Sequence, residues 1–174
     1  MEKNKNKEES EETEINESLI KKMNKILLLV LEENKTLDDY NEKLKAQKEM
    51  PFTSYNKPSL SVYDYLVRIA TYSEAEDNTL ILSLIYIDRI SELSSIILTP
   101  YNIHRIAFVA ILIALKYNED VCYGFNFYAT IAGISIKELK KLEREFIDLI
   151  KFKLYVKKED YDNYKSYIDE IDIN

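Results

Sequence analysis

The sequence predicts an all-α fold, and three observations support this prediction. The chain has 174 residues but only two glycines and three prolines, which is few for the many turns of a strand-rich fold. Apolar residues recur at helical spacing in several successive stretches. Residues 106–115 contain no polar side chain, a run too long for a typical strand and too short to cross a membrane. We therefore predict a single domain packed around a helix at residues 101–119.

Charge and cysteine content narrow the possible classes of function. The net charge is −7 and the basic residues are interspersed with acidic ones, which argues against binding nucleic acid or an anionic membrane. The single cysteine, Cys122, excludes an internal disulfide, and with one histidine it leaves almost no material for a zinc site. The charged N-terminus lacks a hydrophobic signal core. We expect an intracellular protein, in the cytoplasm and/or nucleus, without a metal or cofactor.

The first third of the chain divides into a tail, a helix and a linker. Residues 1–14 are charged and of low complexity, and we predict that they are disordered. Residues 15–34 carry a narrow apolar stripe at helical spacing, which predicts an N-terminal helix on the surface of a larger body. Residues 35–56 are polar and weakly patterned, so we predict a linker with at most one or two helical turns.

Residues 57–174 are predicted to form the main body. Ser61 followed by Asp64 resembles a capping box and predicts the start of an amphipathic helix. The next helix, at residues 78–93, is apolar almost all round and is therefore predicted to be central. The core helix at residues 101–119 follows.

The predicted body continues with three further helices. A short helix is predicted to end at Gly133. Ser135 and Glu138 form a full capping box, S-x-x-E, that opens the next helix. A last, more polar helix is predicted at residues 156–171.

Glu143 stands inside an apolar helix face. In projection it falls between Leu139 and Ile147, and no other charged residue lies on this arc. Burying an ionised carboxylate without a partner costs several kcal/mol. Glu143 therefore has an internal ion-pair partner, lies on an arc that is not fully buried, or serves another protein.

Lys116 ends the core helix, on one line with Arg105, Val109 and Leu112. A lysine is favoured at a helix C-terminus and can keep its charge in water. Lys116 and Glu143 belong to sequential helices that should be neighbours. As a pair at the edge of an apolar surface, they can hydrogen-bond backbone groups of a partner protein.

Three other residues carry side chains that could take part in chemistry. Asp88 projects into the apolar surface of its helix, and we predict a buried structural acid bonded to a neighbouring helix. His104 and Cys122 have no partner that the sequence identifies, and two glycines leave no phosphate-cradling loop. A third class of function, a helical enzyme, is therefore not supported.

Six motifs occur in order along residues 58–146. They are P-S-L-S-V-x-D-Y-L-x-R-I (58–69), L-I-Y-I-D-R (84–89), N-x-H-R (102–105), A-L-K-Y-x-E-D-V (114–121), Y-A-T-I-A-G-I-S (128–135) and E-L-K-K-L-E-x-E-F (138–146). This series resembles the cyclin box, specifically that of the phosphate-pathway type, also called P- or U-type cyclins. The resemblance implies a single five-helix cyclin box with an additional N-terminal helix and a C-terminal helix.

The resemblance also implies a function. Cyclins of this kind bind and allosterically activate a cyclin-dependent serine/threonine kinase and are not themselves enzymes. Lys116 and Glu143 match the lysine and glutamate that contact the kinase near its C helix, and Tyr117, Ile147 and Phe152 match apolar contacts. Without its kinase the chain is expected to be monomeric. The alternative is a non-activating cyclin-fold adaptor for a kinase or another protein.

The sequence departs from the family pattern at two points. Many cell-cycle cyclins pair the acid that matches Asp88 with an arginine, but the aligned position, near Ser59, is not arginine here. Asp88 therefore needs another partner. The chain is also too short for a second cyclin box, so a substrate-docking patch of the two-box kind is not expected.

Overall fold

The computed structural model describes residues 15–173, which form eight helices and no strand. In chain order these are α1 (Glu17–Lys35), α2 (Tyr40–Ala46), α3 (Val62–Ser73), α4 (Asp77–Leu93), α5 (Ile103–Asn118), α6 (Phe125–Ala132), α7 (Ile136–Leu149) and α8 (Lys158–Glu170). The all-α prediction is confirmed. The predicted disordered tail, residues 1–14, lies outside the described residues.

The centre of the fold is α5. Every residue from 106 to 115 is at most 3% exposed. Helix α4 packs along α5, and α3 and α7 pack against other parts of it. A helix that is apolar on all sides is stable only when it is enclosed in this way. Among the helices within residues 15–173, none has both the length and the apolarity needed to cross a bilayer.

Local capping interactions set the starts of two helices where the sequence predicts them. The Ser61 hydroxyl accepts a hydrogen bond from the Asp64 amide at 3.0 Å, and Ser135 accepts one from the Glu138 amide at 3.1 Å. Each bond satisfies an amide that has no partner within its own helix. Gly133 ends α6 with a φ of +71°, a conformation that glycine adopts without steric cost. The end of α6 at Gly133 and the cap at Ser135 together set where α7 begins, and hence where Glu143 lies.

The segment predicted as a linker, residues 35–56, is fixed to the body rather than open. It contains α2, and the buried Gln47 side chain accepts a hydrogen bond from the Ile97 amide at 2.8 Å. Phe52 is 1% exposed and packs edge-on against Phe146 of α7, with ring centroids 6.1 Å apart. The segment therefore contributes to the core.

An arginine of α5 also binds this segment. The Arg105 guanidinium donates to the carbonyls of Pro51 and Thr53, both at 3.3 Å, and forms an ion pair with Glu138 of α7 at 2.6 Å. Since one side chain reaches the segment and α7, it holds three parts of the chain together.

Two tyrosine hydroxyls of helix α8 bind side chains of α4. Tyr164 donates to the half-buried Asp88 carboxylate at 2.6 Å, and Tyr161 donates to the Asn78 side chain at 2.6 Å. Burial raises the pKa of Asp88, and the hydrogen bond from Tyr164 partly opposes that rise. Tyr164 is thus the partner for Asp88 that the sequence left open.

We predict that Phe52→Ala will lower the free energy of unfolding by about 3–5 kcal/mol, the usual cost of removing a fully buried phenylalanine. Urea denaturation followed by circular dichroism measures this change. Tyr55→Ala is the matched control in the same segment because Tyr55 is 93% exposed. It should change stability by less than about 0.5 kcal/mol. Equal, small effects of both substitutions would show that the segment is an open linker.

Asp88→Asn should change how stability depends on pH. The pKa of Asp88 is raised above its ordinary value of 3.8, so its favourable contribution is complete below about pH 3.8 and is lost as pH rises through the folded-state pKa. Asparagine does not titrate. The stability of Asp88→Asn relative to wild type should therefore rise with pH above that value, as measured by urea denaturation at a series of pH values. A difference that stays flat or falls would contradict the assignment.

Candidate functional site

Lys116 and Glu143 contact each other. The Lys116 ammonium donates to Oε1 of Glu143 at 2.6 Å, joining the end of α5 to the middle of α7. The two side chains are 31% and 15% exposed, respectively. The internal ion pair considered from the sequence is thus present, and it lies at the surface edge rather than in the core. Because Glu143 is largely removed from water, it depends on Lys116 as its counter-ion.

An aromatic ring supports this charged pair. The Lys116 ammonium lies 4.1 Å from the ring centroid of Phe125, at the start of α6, and the Lys140 ammonium lies 5.0 Å from the same centroid. A cation over an aromatic face is attracted by the ring quadrupole. Phe125 therefore helps to fix the position of Lys116.

Phe152 is presented by the end of α7. Its amide donates to the Ile147 carbonyl at 3.0 Å, and the Lys151 amide donates to the Asp148 carbonyl at 3.0 Å. These two bonds form a Schellman motif. Lys151 and Phe152 have φ values of +55° and +57°, which cost non-glycine residues about 1–3 kcal/mol each. The strain accompanies a phenylalanine that is 71% exposed, which is a reason to assign it a function.

The chain after Phe152 is held down on α4. The Arg89 guanidinium donates to the Lys153 carbonyl and, at 3.0 Å, to the Tyr155 carbonyl. The Tyr86 hydroxyl donates to the Leu154 carbonyl at 2.9 Å. Three consecutive carbonyls therefore have partners on one helix, and the exposed Phe152 ring projects from a fixed backbone.

An open groove of about 320 Å³ runs along this part of the surface. We call it the α7 groove. Three of the five residues predicted to bind a kinase line it, and Lys116 joins it through Glu143. The residues that line it are Lys140, Glu143, Arg144, Ile147, Asp148 and Phe152.

Tyr117 lies outside the lining of the α7 groove. It is half-exposed at the end of α5. Burial is the largest cause that raises the pKa of Tyr86, the α4 residue that binds the Leu154 carbonyl, to about 12, and Tyr117 adds a smaller contribution. Asp88 belongs to another contact, between α4 and α8.

Neither residue considered for catalysis is in a catalytic arrangement. His104 lies in the first turn of α5, 2.8 Å from the Leu60 carbonyl through Nε2, and burial lowers its pKa. Cys122 is exposed in the connection between α5 and α6. Within residues 15–173, no three His, Cys, Asp or Glu side chains are grouped to hold a metal ion.

Sequence reasoning missed four residues of the site: Lys140, Arg144 and Asp148, which line the α7 groove, and Phe125 beside Lys116. Lys140 and Arg144 stand three positions before and one after Glu143, and Ile147 follows at the next turn, so all four share one face of α7. This spacing is visible in the sequence and is enough to find them. Phe125 approaches Lys116 and Lys140 across a turn, and no sequence pattern signals that contact.

The chain resembles known proteins over most of its length. A family model described as Cyclin matches residues 2–154. Cyclin-U4-2 of Arabidopsis thaliana is 32% identical over 155 residues, which are 88% of this chain and 70% of that protein. Cyclin-P3-1 of Oryza sativa subsp. japonica is 31% identical over 147 residues, which are 80% of this chain and 61% of that protein. The chain therefore belongs to the cyclin family, as a cyclin-box protein of the P/U type.

Proposed function

We propose that this protein is the regulatory subunit of a cyclin-dependent serine/threonine kinase, which it binds and allosterically activates. Its membership of the cyclin family supports a regulatory role. The observation that carries the proposal is the Lys116–Glu143 ion pair, 2.6 Å across, beside a groove that ends in the exposed Phe152. The protein itself performs no chemistry, and we expect it to be monomeric without its kinase and to act in the cytoplasm and/or nucleus.

The ion pair has hydrogen-bonding capacity left for a partner. The contact uses one oxygen of the Glu143 carboxylate and one of the three donors of the Lys116 ammonium. The second oxygen and the remaining donors can bind backbone groups of the kinase near its C helix. Because Glu143 and the Phe125 ring hold Lys116 in place, little side-chain entropy is lost when the kinase docks.

The exposed aromatic side chain provides the apolar contact. Phe152 is already ordered by the Schellman motif and by the bonds from α4. Large aromatic side chains of this kind are frequent hot spots in interfaces. We propose that Phe152 and Ile147 cover apolar residues of the kinase, while Tyr117 contacts it at the end of α5.

Activation follows from differential binding to two states of the kinase. Docking favours the inward position of the kinase C helix, which completes the Lys–Glu pair that holds ATP. Moving such an equilibrium from 1:99 to 99:1 takes about 5.5 kcal/mol of differential binding. A rigid surface that binds only the inward state can supply energy of this order.

Phe152→Ala should weaken binding to the partner kinase by about 30-fold, the size expected of an interface hot spot. Isothermal titration calorimetry with single purified cyclin-dependent kinases measures the effect. Tyr155→Ala is the matched control because Tyr155 is equally exposed, at 71%, and does not line the α7 groove. It should retain wild-type affinity. Equal losses for both variants would contradict the assignment of Phe152.

The double variant Lys116→Ala plus Glu143→Ala should reduce both kinase binding and kinase activity by at least about tenfold, since it removes two polar contacts of the interface. Both charges are removed together so that Glu143 is not left without a counter-ion. Thermal melts followed by circular dichroism check that the variant folds. A folded variant with wild-type binding and activation would show that the pair is only structural.

A kinase assay on the reconstituted complex separates an activator from an adaptor. The proposal expects phosphorylation of a model substrate to rise when wild-type protein is added to the kinase that it binds. Binding without stimulation would identify a non-activating adaptor instead.

A further inference from the structure

Two cations of the α7 groove have no counter-ion among the residues that the structure describes. Lys140 and Arg144 lie one turn apart on the exposed side of α7 and line the groove together with Ile147 and Phe152. Among residues 15–173, neither side chain makes a hydrogen bond or an ion pair, and the Lys140 ammonium lies 5.0 Å from the centroid of the Phe125 ring. Glu143, which stands between them, is already neutralised by Lys116.

The other charges of the α7 groove do not compensate for these cations. Asp148 is the remaining acidic residue of the lining, and it lies one turn beyond Arg144, towards Phe152. With the Lys116–Glu143 pair counted as neutral, the lining carries two positive charges and one negative charge. This local excess is opposite in sign to the net charge of −7 of the whole chain.

We propose that Lys140 and Arg144 select the kinase partner by binding carboxylates of the kinase. These carboxylates flank an apolar residue of the kinase segment that docks in the α7 groove. This inference rests on the proposed function and specifies the chemistry of the partner. The Ile147 and Phe152 side chains offer an apolar wall, and the two cations lie along its edge. A kinase with Glu or Asp one or two helical turns from an apolar anchor matches both features. A kinase with Lys or Arg at those positions is repelled.

Selection by charge also predicts how binding depends on salt. Exposed charges attract each other over about a Debye length, which is about 10 Å at 0.1 M ionic strength and shorter at higher salt. Association with the kinase should therefore be faster at low salt than at high salt. Loss of the two cations should remove most of this difference.

The test measures association and dissociation rates with a purified cyclin-dependent kinase that binds the wild-type protein, at 50 and 300 mM NaCl. Lys140→Glu plus Arg144→Glu should weaken binding at low salt by about 100-fold and flatten the salt dependence. Lys141→Glu is the control for a single charge reversal on the same helix, at an exposed residue that does not line the α7 groove. It should change affinity by less than about threefold. Wild-type affinity for the double variant, or an equal loss for Lys141→Glu, would overturn the inference.

Reversing charges in the kinase identifies the counter-ions. Exchange of the Glu and Asp residues of the kinase C helix for Lys, one at a time, should restore binding to Lys140→Glu or Arg144→Glu at one or two positions. Restoration at none of them would overturn the inference.

A further variant tests whether Lys140 and Arg144 bind an acidic segment of this chain rather than the kinase. The glutamates of residues 1–14 are also acidic, and they are changed to glutamine in the 174-residue chain. If Lys140→Glu plus Arg144→Glu then has no effect on kinase binding, the two cations bind this chain's own N-terminal segment and the inference is overturned.

These outcomes are distinguishable from failure of the proposed function. If Phe152→Ala weakens kinase binding while charge reversal at Lys140 and Arg144 does not, only the inference about partner chemistry fails. If the wild-type protein binds no cyclin-dependent kinase, the proposed function fails first.

Discussion

Enclosure of α5 is the constraint on which the rest of the structure depends. Its middle is wholly apolar, so helices must cover it on all sides. Its two ends carry Arg105 and Lys116, about 16 Å apart along the helix at 1.5 Å per residue. Both cations pair with α7, Arg105 with Glu138 and Lys116 with Glu143, each at 2.6 Å. The apolar middle of α5 therefore requires the surrounding helices, and its two terminal cations hold α7, the helix that carries the candidate site.

The candidate site is the solvent-facing edge of this scaffold. Helix α7 is held from within by α5, and its C-terminal turn presents Phe152 through two backbone hydrogen bonds. Arg89 and Tyr86 of α4 hold the chain that follows. A surface fixed from both sides loses little entropy on binding. Such a surface suits a regulator that must favour one of two conformations of its partner, because the partner rather than the regulator then changes shape.

Much of the fold could be predicted from the sequence, but only part of the site. Helix positions follow from periodicity and capping residues, which are local signals. Gln47 and Phe52 are buried singly in a polar segment and their partners are distant in sequence, so the sequence pattern predicts a linker where the chain is packed. Lys116 and Glu143 could be identified as unusual, but whether they touch depends on how two helices cross. The positive φ of Phe152 has no sequence signal because the residue is not glycine.

Hydrogen–deuterium exchange on the protein with and without its kinase tests the central claim most directly. If the α7 groove and the end of α5 form the interface, slower exchange should be concentrated at residues 116–118 and 140–154. Exchange in α1 and α8 should stay unchanged. Slower exchange confined to α1 or α8, with residues 140–154 unchanged, would contradict the account.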